Sequence, residues 1–71
     1  MITLEQIREK LIEAIKQSGL SQKEIGKKIN VSQQTISCYL NGLKLPSLDT
    51  FANLCVVLNI DPAEILCTIN K

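Results

Sequence analysis

The chain has no histidine, and its three cysteines, Cys38, Cys55 and Cys67, form no CxxC pair. A zinc site needs about four clustered cysteine, histidine or carboxylate ligands, so no metal site is assigned and no cofactor is expected. There is also no glycine-rich phosphate loop and no pair of carboxylates in a candidate cleft, and a chain of 71 residues offers little room for a substrate pocket. No catalytic residue is assigned, and the chain is not expected to be an enzyme. Two prolines and three glycines leave little material for long irregular loops. Long apolar runs are missing too. The first residues, MITLEQIREKLIEAIK, interleave charges with apolar side chains, as neither a signal peptide nor a membrane span does. An odd cysteine count fits a reducing cytoplasm better than a secreted disulfide scaffold, so a cytoplasmic location is expected.

What the chain does have is apolar bulk and helical periodicity. Apolar residues make up 45% of it and charged ones 21%, which indicates a packed globule rather than a disordered chain. One domain, residues 1–71, is expected. Its size is near the lower limit for a self-sufficient core, so regular helix packing, helped by dimerisation, must supply the stability. The net charge of +1 is unevenly spread. Lys16, Lys23, Lys27, Lys28 and Lys44 against Glu24 give residues 16–44 a net +4, whereas residues 1–15 carry −1 and residues 45–71 carry −2. Such segregation favours an anionic partner near the middle of the chain.

The apolar spacing follows a period of 3.6 almost throughout and predicts an all-α chain of five helices. The first runs over about Thr3–Gln17. Thr3 and Gln6 form a capping-box pattern, Leu4, Ile7, Leu11, Ala14 and Ile15 make one stripe, and Gly19 follows as a left-handed terminator. The second spans about Gln22–Lys28 behind a second box, Ser21 with Glu24, and Asn30 makes the turn after it because asparagine tolerates positive φ. The third spans about Gln33–Leu40, capped by Ser32 and ended by Asn41-Gly42. The fourth, about Leu48–Leu58 with Ser47 as cap, is apolar on nearly every side and so is expected to be central and buried. The fifth starts at Asp61-Pro62, where proline at the first helical position loses no hydrogen bond, with Glu64 completing a third box and Ile65, Leu66 and Ile69 facing inward or towards a partner.

The third helix carries the chemistry. Ile36, Tyr39 and Leu40 cluster on one side, while Gln34, Ser37, Cys38 and Asn41 form the other. That outward stripe contains neither lysine nor glutamate, although both are common in the first two helices. A helix facing a DNA groove explains this, because acids repel phosphate and amides read base edges. Glutamine matches the donor–acceptor pair of adenine N6 and N7 in the major groove, and Gln33 and Gln34 sit at the end of the helix that enters the groove in this docking mode. Thr35 can offer its methyl to thymine or its hydroxyl to phosphate. The helix N-termini at Gln22 and Ser32 can donate backbone N–H groups to phosphates.

Residues 22–41, QKEIGKKINVSQQTISCYLN, resemble the helix-turn-helix of the lambda repressor and Cro family, also called the XRE family. The matching features are Gln22, Ile25-Gly26, Ile29, the turn at Asn30-Val31, Ile36 and Asn41-Gly42. KLPSLDTFANLCVVLNIDPAEIL resembles the helices that follow in that family, so the likeness covers residues 4–67. It implies a compact, lambda repressor-like five-helix bundle that binds double-stranded DNA sequence-specifically as a transcriptional regulator, acting as a repressor and a homodimer. It also implies that Gln22, Ser32, Asn41 and Lys44 hold phosphates while Gln33, Gln34, Ser37 and Cys38 face bases. Three positions depart from the family pattern. Gly26 replaces the usual alanine, Asn30 the frequent glycine, and Cys38 an often polar or basic reading residue. Cys38 also suggests a redox switch that blocks DNA binding. Ile12, Val56, Leu66 and Ile69 are candidates for the dimer surface. Two alternatives stand beside this expectation: an antitoxin that binds DNA and neutralises a toxin, and a protein-interaction module that has lost DNA binding. A toxin or an anti-repressor is thus a possible protein partner.

Overall fold

Local capping sets most of the boundaries in the structure, a computed structural model that describes residues 1–68. Ile69, expected to face inward or a partner, lies outside the described residues. Helix α1 runs over Leu4–Gln17, α2 over Gln22–Ile29, α3 over Gln33–Leu40, α4 over Leu48–Leu58 and α5 over Pro62–Ile65, with no strand among the described residues. Both expected boxes at the chain's start are formed. The Thr3 hydroxyl accepts from the Gln6 amide at 3.2 Å and the Gln6 side chain returns to the Thr3 amide at 2.9 Å. Ser21 and Glu24 do the same for α2 at 3.1 and 3.3 Å. Each box satisfies two amides that the helix leaves without partners. Gly19 is left-handed at φ +77°, and so is Asn30 at φ 60°, where the turn between α2 and α3 is made.

Every helix contributes to one core: Leu11 and Ile15 from α1, Ile25 from α2, Ile36 and Tyr39 from α3, Leu54 from α4 and Ile65 from α5. No helix among the described residues is long and apolar enough to cross a membrane.

The expectation that α4 is central and buried is corrected. Leu54 and Cys55 are buried, and Phe51, Val57 and Leu58 are half-buried, but Leu48 is 87% exposed, Val56 80% exposed, and Ala52 exposed between them. Four other helices, one of a single turn, do not have the surface to enclose α4 on all sides in a chain of this size. Leu4 is also corrected. It sits on the first turn of α1, in an open apolar groove that it lines with Ile7, Leu11, Pro46 and Phe51, and is 64% exposed. Two caps differ from expectation. Ser47 occupies the cap position of α4 without a cap hydrogen bond; its hydroxyl donates to Asp49 at 2.6 Å, and the Asp49 carboxylate accepts the Thr50 amide in its place. Asp61 caps α5 through the Ala63 amide at 2.9 Å, and Glu64 does not return to complete a box. Of the dimer-surface candidates, Val56 is exposed while Ile12 and Leu66 are half-buried.

Candidate nucleic-acid interface

The crossing of α2 and α3 is set at Gly26. Its carbonyl accepts the amides of both Asn30 and Val31, the latter at 2.9 Å, so the turn folds back over it. A Cβ built on Gly26 would lie 2.7 Å from the Val31 carbonyl oxygen and 3.5 Å from backbone atoms of Ser32 and Gln33. The position demands more than a small residue. The start of α3 lies directly on the α2 backbone, and Ile25 and Ile36, both 0% exposed, lock the pair beneath.

This packing fixes which face of α3 points outward. Ile36 and Tyr39 are buried and Leu40 half-buried, as expected, and Gln33, Gln34 and Asn41 are exposed. Ser37 and Cys38 are half-buried, at the flank of the face rather than on its crest. The Ser32 hydroxyl accepts the Thr35 amide at 3.1 Å and lies 2.8 Å from the Thr35 hydroxyl. Thr35 is thus partly engaged within the cap, and its hydroxyl is shared before any ligand arrives. The amides of Gln33 and Gln34 precede the first bond of the helix and remain for an outside acceptor.

The two helix N-termini differ electrostatically. That of α3 has no acidic residue in its first turn, whereas α2 carries Glu24, whose carboxylate closes on the Ser21 amide. An incoming phosphate therefore meets an open positive helix end at α3 and an occupied one at α2. Half-buried Gln22 stands at that second end.

At the far end of α3 the chain stops by a left-handed glycine. Leu43 N–H donates to the Cys38 carbonyl at 2.9 Å and Gly42 N–H to that of Tyr39 at 3.2 Å, with Gly42 at φ +75°. This closure leaves Asn41 and Lys44 exposed on either side of Gly42. The Asn41 amide reaches back to the Ser37 hydroxyl at 3.5 Å. Burial pushes the Tyr39 phenol above its ordinary pKa, with Asp49 and Cys38 adding to the effect. One further neighbour, Arg8 of α1, whose stem lies against Gly42, was not legible in the sequence. No motif links positions so far apart in the chain.

The helix-turn-helix family profile matches residues 4–65, and the chain belongs to that lambda repressor-like family of DNA-binding domains. No curated protein and no solved structure matches it. The family is one of double-stranded DNA binders rather than of enzymes.

Proposed function

We propose that this helix-turn-helix protein is a transcriptional repressor that reads a two-fold symmetric operator as a homodimer, with α3 in the major groove and α2 across the backbone. The single observation that carries this reading is the outward face of α3. Gln33 and Gln34 stand exposed at an uncapped-by-acid helix N-terminus, and the face bears no charge over its whole length. Gln33 and Gln34 contact base edges, most effectively adenine, with Ser37 and Cys38 grazing the bases from the flank. Ser32, Thr35, Gln22, Asn41 and Lys44 hold phosphates. Lys23, Lys27 and Lys28, exposed on α2, add unspecific attraction.

Three considerations support dimerisation. Half-sites recur about 34 Å apart along B-DNA, and one copy measures 34 × 23 × 21 Å, so two copies fit side by side. A net charge of +1 gives a single copy little grip. The uncovered apolar face of Leu48, Ala52 and Val56 is surface that a second copy would remove from water.

Selection from a random duplex pool tests the reading. It should enrich a two-fold symmetric sequence with adenines facing Gln33 or Gln34. Recovery of no sequence preference at low salt would overturn it.

A further inference from the structure

Arg8 stands apart from the other cations of the chain. It lies on α1, in the segment whose net charge is −1, yet its stem is laid across the end of α3. A Cβ built on Gly42 would meet Arg8 Cδ at 3.3 Å and Nε at 3.9 Å, so the glycine leaves the space that the arginine stem fills. Arg8 is half-buried, and its Nε is fully buried with no hydrogen-bond partner. Between Gln33 and Leu48 there is no acidic residue to receive it. The two carbonyls near the end of α3 that bear on the turn, those of Cys38 and Tyr39, already accept from Leu43 and Gly42.

We infer that Arg8 is a further DNA-phosphate contact, held by its stem against Gly42 so that its guanidinium joins Asn41 and Lys44 at one corner of the interface. The inference rests on the DNA-binding function proposed above. A guanidinium is a planar fork whose terminal N–H groups suit two phosphate oxygens. Anchoring the stem on a glycine removes much of the rotamer freedom that a free lysine loses on binding. The buried Nε is out of reach of a duplex, so the contact falls to the terminal N–H groups, for which a DNA backbone supplies acceptors. Arg8 would then fix the C-terminal end of α3 over the duplex while the α3 N-terminus fixes the other end, two clamps on one reading helix.

The rival explanation is structural. A cation beside a helix C-terminus is favourable by itself. Salt dependence separates the two. Arg8→Met keeps an unbranched apolar stem over Gly42 and removes the guanidinium. Arg8→Lys restores a charge. Binding of the full chain to a random-sequence duplex of about 20 base pairs is measured by fluorescence anisotropy at several salt concentrations, with thermal unfolding in parallel. Each phosphate contact contributes about 0.9 to the slope of log K against log salt. Arg8→Met should lower that slope by about 0.9, so that between 50 and 200 mM salt it loses about three- to fourfold less affinity than the unsubstituted chain. Arg8→Lys should recover the slope. A folded Arg8→Met protein with an unchanged slope overturns the inference and leaves the functional reading standing. Absence of duplex binding by the unsubstituted chain overturns both.

Discussion

Gly26→Ala sets two magnitudes of opposite sign against each other. In a helix interior alanine is favoured over glycine by about 1 kcal/mol, partly because it restricts the unfolded chain. Position 26 lies well inside α2 with no positive φ, so this gain is available. Against it stands the Cβ contact of 2.7 Å with the Val31 carbonyl oxygen, about 0.7 Å inside the 3.4 Å at which ordinary contact begins. Overpacking costs roughly 1–3 kcal/mol. The upper part of that range applies because the obstructing atom is backbone. It cannot rotate away as a side chain would, and Ser32 and Gln33 backbone atoms stand 3.5 Å off on the same side. The turn and the first residues of α3 must move together. The net expectation is a loss of about 1–2 kcal/mol, which lowers Tm by roughly 5–15 °C for a domain of this length.

Thermal unfolding followed by circular dichroism measures this directly. Gly19→Ala is the useful contrast, since its added Cβ meets nothing within 4 Å but its φ of +77° is strained for alanine. Both variants should lose stability. Gly26→Ala alone should also weaken DNA binding when both are compared well below their Tm, because it alone displaces the end of α3 that carries Gln33 and Gln34. A Gly26→Ala protein more stable than its parent would mean that the turn yields freely and that helix propensity decides the position.

Three further outcomes follow from the interface and the core. Lys44→Ala should weaken binding to every duplex alike and reduce the salt slope by about 0.9, and an unchanged slope would remove Lys44 from the phosphate contacts. Gln34→Ala should cost roughly 1–3 kcal/mol on the selected operator and almost nothing on random duplex, so equal losses on the two would count against base reading by that residue. Burial, with Asp61 adding to it, raises the Cys55 thiol pKa above its ordinary value, and burial likewise raises the Tyr39 phenol. Both groups hold their protons more tightly in the folded chain, so stability is intact below about pH 8.5 and falls as pH rises through the folded values, first for Cys55 and then for Tyr39. Tm measured from pH 7 to pH 10.5 should decline at the alkaline end, less steeply in Cys55→Ala, and a flat profile would contradict the burial of both groups.

What could be read in the sequence was what neighbours in the chain decide. The capping boxes at Thr3 and Ser21, the left-handed turn at Asn30 and the extent of α3 each depend on residues within four positions of one another, so spacing alone specifies them. Periodicity also told the buried Ile36 and Tyr39 from the exposed Gln33 and Gln34, because one face of a helix must leave the water. It did not reveal how many helices would be present to cover α4. That depends on the whole bundle, and a short chain left Leu48 and Val56 exposed. Ser47 shows a smaller failure of the same logic: its hydroxyl donates to Asp49 at 2.6 Å, and the Asp49 carboxylate rather than the serine accepts the Thr50 amide. Arg8 reaches Gly42 across 34 positions, and no local rule connects them.

Gly26 and Asn30 are best understood as one device rather than two departures from the family pattern of alanine and glycine. The left-handed residue sets where the Val31 carbonyl points, and that carbonyl is the atom that forbids a Cβ at position 26. Asparagine at φ 60°, ψ 45° is held near the centre of the small left-handed region, because its own Cβ restricts it. Glycine at the same place has a much wider allowed area and lets the carbonyl withdraw. The pair found here, glycine then asparagine, is therefore compatible with close crossing, and the family's pair, alanine then glycine, should be compatible as well. Alanine followed by asparagine should not be. The double variant Gly26→Ala, Asn30→Gly should consequently be less destabilised than the sum of its single variants, by at least about 0.5 kcal/mol in a double-mutant cycle. Urea unfolding of the four proteins gives the coupling. Additive losses would show that the two positions act independently and that the 2.7 Å contact is relieved by movement of α3 rather than by the turn.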